Sequence, residues 1–116
     1  VTIVEARYLW DARNAAETIG RFTARHDFAG YRSSRLLQAA VERMFTILGE
    51  ALSLLRKASP GIAEQIPDLA RAVGLRNLIV HRYWRVEHDR IWDVITHDLQ
   101  PFLHVVERLL KDYPLP

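Results

Sequence analysis

A chain of 116 residues is long enough for one domain and short for two. Its residues are 49% hydrophobic and 26% charged, the balance of a folded globular domain, which excludes a disordered tail or a fibrous repeat. The formal net charge of +2 is far below that of proteins that live on duplex phosphate contacts, though it does not forbid nucleic acid.

Cysteine is absent, which removes disulfides, thiolate metal sites and cysteine nucleophiles and fits a reducing, cytoplasmic location. The cations are arginines except for Lys57 and Lys111, and arginine is the better planar partner for phosphate and carboxylate. No apolar run approaches the roughly 18 residues that cross a bilayer, so no membrane association is expected. No signal-peptide pattern opens the chain. The first residue is Val1, which points to a residue or two ahead of it.

The periodicity is helical throughout. Leu9, Ala12, Ala16, Ile19 and Phe22 recur every three or four residues and predict a helix over roughly 5–25. A second is expected over 34–57, with Leu37, Val41, Met44, Phe45, Leu48, Leu52 and Leu55 on its apolar face. Ser59-Pro60-Gly61 reads as a loop, followed by a short turn or helix over 62–65. A fourth element starts after Pro67 and carries Leu69, Val73, Leu78 and Ile79. The last begins near Asp89 as N-cap, runs through Ile91, Val94, Ile95, Leu99, Phe102, Val106 and Leu109, and is expected to kink at Pro101. No segment alternates with period two. The expected fold is all-α: one domain over 1–116, an antiparallel four- to five-helix bundle of a size that often pairs with a second copy.

The stretch from Arg76 to Trp84 carries the chemistry. Arg76, Asn77, His81 and Tyr83 are side chains that handle phosphate esters. At about 100° per residue, Asn77 and His81 share a helix face. Arg76 and His81 are roughly 140° apart. They cooperate if the helix ends near His81, if Arg76 reaches round on its stem, or if a second copy presents its own motif. Such a set suits RNA cleavage. A neutral histidine takes the 2′-hydroxyl proton and a protonated one gives a proton to the leaving 5′-oxygen. An arginine holds the phosphate and its developing charge. With the RNA's own hydroxyl attacking, the product is a 2′,3′-cyclic phosphate and no metal is required. The competing reading of the same residues is a polar helix C-terminus whose cations complement the dipole.

Arg76, four residues, His81, one residue and Tyr83 resemble the R-x4-H-x-Y signature of the HEPN superfamily, in its HepT-like toxin branch. The resemblance extends to Leu48-Gly49-Glu50-Ala51, to Ile66-Pro67, to Arg76-Asn77 before His81, and to Ile91-Trp92 with Asp98-Leu99-Gln100-Pro101. It covers roughly 8–110. It implies an all-α homodimer in which two motif-bearing helices face each other, and a metal-independent ribonuclease toxin. It further implies a minimal nucleotidyltransferase (MNT) antitoxin as partner, which uses ATP to place AMP on the motif tyrosine; the protein itself needs no cofactor. Carried over residue by residue, Arg76 and His81 are catalytic, Asn77 is a supporting polar residue, and Tyr83 is the site of AMPylation. Two positions depart from the pattern. Arg82 replaces the usual Asp beside the histidine, and Asp68 replaces the tryptophan after Pro67.

Glu50 is a carboxylate in a mostly apolar helix, either a supporting polar residue near the site or one that simply pairs with an arginine or faces water. Arg82, Trp84 and Arg85 are possible RNA contacts: Arg82, Arg85 and Arg90 form either a phosphate-tracking groove or a solvated face, and Trp84 is expected against substrate or a second subunit. Trp10, Trp92, Tyr8 and Tyr31 either stack bases or fill the core, with Trp92 expected in the core. His26, His88, His97 and His104 lack standard metal spacing. The functional alternative to a ribonuclease is a non-catalytic helical dimer that binds nucleotide or a nucleotidyltransferase; a plain dimerisation subunit is a third reading.

Overall fold

The computed structural model describes residues 1–67, 69–81 and 87–113, with His81 described by its backbone alone. Among these residues there are seven helices: α1 (Ile3–Thr23), α2 (Phe28–Arg32), α3 (Arg35–Ala58), α4 (Pro60–Ala63), α5 (Leu69–His81), α6 (His88–His97) and α7 (Leu99–Leu109).

The two longest helices start where a side chain satisfies orphan amides of the first turn. At α1 the Thr2 hydroxyl accepts from the Glu5 amide at 3.2 Å, and Glu5 accepts from the Thr2 amide at 2.6 Å. This reciprocal capping box begins the helix two residues ahead of the expected position. Ser34 caps α3 by accepting from the Leu37 amide at 3.1 Å. Asp27 caps α2, a five-residue helix absent from the periodicity reading, by accepting from the Gly30 amide at 2.8 Å. Gln38 then donates to the carbonyls of Tyr31 and Arg32 and ties the end of α2 to α3.

Pro101 does not kink one long helix; it separates two. Its ring clashes with the carbonyl four residues back, and α6 stops at that residue, His97. Pro101 is the third residue of α7, where its missing amide has no intrahelical partner to lose. Asp98 joins the pair, its amide donating to Val94 and its carbonyl accepting from Phe102. Glu87 rather than Asp89 stands at the N-cap of α6, and Asp89 lies in its first turn. Pro60, expected in a loop, opens α4, where its fixed φ is already helical.

The major helices run antiparallel. Arg56 near the end of α3 lines one pocket with Leu69 at the start of α5. Gly20 near the end of α1 lines another with Leu99 at the start of α7. Trp10 near the start of α1 donates through Nε1 to the Tyr113 carbonyl beyond the end of α7, at 2.8 Å. The core contains Leu9, Ala12, Ala16 and Ile19 from α1, Val41, Phe45, Leu48, Leu52 and Leu55 from α3, and Ile91, Phe102 and Val106 from α6 and α7. Alanines on α1 let it lie close against α3, whose larger side chains fill the space between. Phe22 breaks the expected pattern and is 40% exposed. Tyr31 is fully buried and packs on Trp92, ring centroids 5.4 Å apart, so both belong to the packing of α2 on α6 and not to a base-stacking surface. No described helix is long and apolar enough to cross a membrane.

Candidate active site

The motif arginine sits where α5 crosses α3. At that crossing α3 presents Gly49, and a Cβ there would fall 2.7 Å from the Arg76 Cγ and closer still to its Cβ. Only a residue without a side chain lets the α5 backbone come this near. Gly49 therefore sets the depth at which Arg76 leaves its helix, a role absent from the sequence reading.

From that seat the Arg76 guanidinium is held on two sides. Nη2 donates to Glu50 Oε2 at 2.6 Å, and Nη1 donates to Asn77 Oδ1 at 2.8 Å. The first is a short charge-assisted bond and fixes the plane of the fork. Arg76 is 27% exposed and Glu50 52%, so the pair lies at the surface with part of the guanidinium open. The Arg76 Nε–H is sheltered and has no hydrogen-bond partner among the described residues. The result is an arginine restrained by two neighbours with donors left over, an arrangement suited to an anion such as a phosphate.

Of the residues singled out by sequence, the fold thus brings Arg76, Asn77 and Glu50 together. Glu50 pairs with an arginine, as one of its two readings expects, and that arginine is Arg76 of the signature. The described α5 extends through His81 without interruption, so positions 76 and 81 lie about 140° apart around one regular helix axis. The His81 side chain and Arg82, Tyr83, Trp84 and Arg85 lie outside the described residues. Among the described residues no three His, Asp or Glu side chains converge to hold a metal ion. His97 makes local contacts instead, its Nδ1 3.0 Å from the Thr96 hydroxyl and 3.3 Å from Asp93.

A family model described as "Ribonuclease HepT-like" matches residues 12–109. The chain belongs to the HepT-like ribonuclease family. The family lies in the HEPN superfamily that the motif resembles, and the all-helical fold agrees with it.

Two curated relatives extend the match. "Putative RNase MJ1380" of Methanocaldococcus jannaschii is 26% identical over 102 residues, covering 86% of this chain and 91% of the relative. "Probable ribonuclease HepT" of Thermococcus cleftensis is 28% identical over 106 residues, covering 90% of this chain and 94% of the relative. No solved structure matches. The HepT-like match spans every described helix from α2 to α7 and most of α1, so it takes in both Gly49-Glu50 and the motif arginine they support.

Proposed function

We propose that the protein is a metal-independent endoribonuclease and the toxin of a HEPN/MNT pair. The observation that carries this reading is the restraint of Arg76 by Glu50 and Asn77, in a chain of the HepT-like ribonuclease family that retains Arg76, His81 and Tyr83 at the signature spacing.

The reaction follows from these groups. The 2′-oxygen of the RNA attacks the adjacent phosphorus while His81 accepts its proton. The 5′-oxygen leaves with its bonding pair and takes a proton from an imidazolium, leaving a 2′,3′-cyclic phosphate. Arg76 neutralises charge on the non-bridging oxygens, and its fixed orientation avoids reorganisation as that charge grows. Glu50 and Asn77 act on Arg76 and are positioning residues.

Acid and base must stand on opposite sides of the phosphorus. One regular helix directs Arg76 and His81 about 140° apart, which supports a homodimer in which two copies of α5 face one another and supply both roles. The switch is covalent. A nucleotidyltransferase antitoxin catalyses attack of the Tyr83 phenol oxygen on the α-phosphorus of ATP, with release of pyrophosphate and of the phenolic proton. The resulting anion, two residues from His81, blocks substrate and competes for Arg76. End analysis of the cleaved RNA tests the chemistry: cyclic phosphate termini are expected, and 3′-hydroxyl termini would contradict attack by the 2′-oxygen.

A further inference from the structure

Glu50 also borders a pocket whose other groups the reaction does not use. It measures about 360 Å³ and opens between α1 and α3, lined by Asp11, Arg43, Thr46, Ile47, Glu50 and Leu54 among others. Its volume lies within the roughly 300–1,000 Å³ of small-molecule sites. Glu50 belongs both to this pocket and to the ion pair with Arg76, so one carboxylate links the pocket to the arginine that would hold the cleaved phosphate.

The polar groups of the pocket have a definite pattern. Asp11 and Arg43 form no ion pair with each other or with any other described residue. The Thr46 hydroxyl spends its hydrogen on the Glu42 carbonyl at 2.9 Å, so toward the pocket it can only accept. The pocket therefore offers acceptors at Asp11, Thr46 and Glu50 and a fork of donors at Arg43, above the apolar side chains of Ile47 and Leu54. An ionised carboxylate accepts only, and takes two donors side by side.

We propose that this pocket binds a guanine base of the RNA strand, in a nucleotide adjoining the cleaved bond. Guanine is the base whose Watson–Crick edge carries two adjacent donors, N1–H and the 2-amino group, which match the two oxygens of Asp11. Its O6 and N7 are the acceptors that arginine takes in bidentate fashion, and Arg43 supplies that fork. The apolar side chains contact the face of the base, and unpaired RNA presents its bases for this kind of recognition. Adenine, cytosine and uracil each lack the paired donors. The assignment rests on the ribonuclease reading for its occupant, a single strand of RNA, and adds to it a preference for sequence at the cut.

The test is binding without cleavage. Short 2′-O-methyl oligouridines bearing one central guanosine, inosine or adenosine have no 2′-hydroxyl to attack, so fluorescence anisotropy with the wild-type chain reads affinity alone. Guanosine is expected to bind about tenfold or more tighter than adenosine, with inosine, which lacks the 2-amino group, between them. Asp11→Asn and Arg43→Gln, both at exposed positions, are expected to erase that preference with helical circular dichroism unchanged. Equal binding of the three oligonucleotides, or a preference that survives both substitutions, would overturn the proposal. So would a loss of dimer mass in Asp11→Asn without a change in base preference, since the pocket would then be a subunit contact. Failure of the ribonuclease reading shows elsewhere, as absence of cleavage of unmodified RNA.

Discussion

Glu50 Oε2 stands 2.6 Å from Arg76 Nη2 and fixes the guanidinium of the motif arginine from the neighbouring helix. Two consequences separate. A half-exposed ion pair contributes only about 0–1 kcal/mol to stability, so Glu50→Ala should leave the thermal midpoint nearly unchanged. Orientation of Arg76 should suffer much more: kcat/KM for RNA is expected to fall about tenfold, equivalent to about 1.4 kcal/mol of barrier. Glu50→Gln, which keeps an acceptor, should retain part of the activity. Unchanged kinetics in Glu50→Ala would reduce the pair to surface decoration, and faster cleavage would mean that Glu50 competes with the phosphate.

Two glycines in helix interiors should respond in opposite ways to alanine. At Gly49 the new methyl meets Arg76 at Cβ and Cγ, atoms too close to the backbone to swing aside, so α3 and α5 must separate. The expected cost is about 1–3 kcal/mol, with activity falling as Arg76 is displaced. At Gly20 nothing lies within 4 Å of an added Cβ, and alanine should stabilise α1 by up to about 1 kcal/mol. Chemical denaturation of the two variants gives both signs in one experiment.

Stability should weaken mildly below neutral pH. His88 packs edge-on against Tyr31, ring centroids 5.8 Å apart, and its buried Nδ1 has no described partner. Burial pushes the His88 imidazole below its ordinary value, the nearby Arg32 charge pushes the same way, and Asp89 opposes both. The unfolded chain thus binds the proton more readily than the folded one, so stability rises with pH across the window. It is complete above the ordinary value of 6.5 and is lost as pH falls from there toward the lower folded value. The thermal midpoint should drop by about a degree or two between pH 7.5 and 5.5, a small change because the ring is partly open to water. His88→Phe should remove that increment; an identical pH dependence in the variant would assign it to other groups.

Tyr83 is expected to gain about 329 Da per adenylyl group when the chain is incubated with ATP and an active MNT-type nucleotidyltransferase. The modified protein should lose ribonuclease activity, and Tyr83→Phe should keep both its mass and its activity. An unchanged mass in wild type beside an active partner would remove the proposed switch.

Much of this architecture is legible in the sequence. The apolar stripes of α1 and α3 mark the bundle because a half-buried helix needs one apolar face, and Val41, Phe45, Leu48, Leu52 and Leu55 are all buried as that face predicts. The start of α1 is also written there, in Thr2 and Glu5, but as a capping signal that periodicity does not register. α2 is too short for a period, and only Asp27 with Gly30 betrays it. Pro101 announces an interruption without saying where: the break falls at Asp98, upstream, because the clash is with the preceding turn. At the site, spacing places Asn77 with His81 on one face, whereas the bond between Glu50 and Arg76 spans 26 positions and is a product of packing. Gly49 reads as an ordinary weak helix former until α5 is laid across it.

The most direct test is cleavage of mixed cellular RNA by the purified protein in excess EDTA, beside His81→Ala. Cleavage is expected from the wild type and none from the variant, which should remain folded and dimeric. Cleavage by both, or by neither when intact mass shows Tyr83 unmodified, would contradict a metal-independent ribonuclease built on Arg76 and His81.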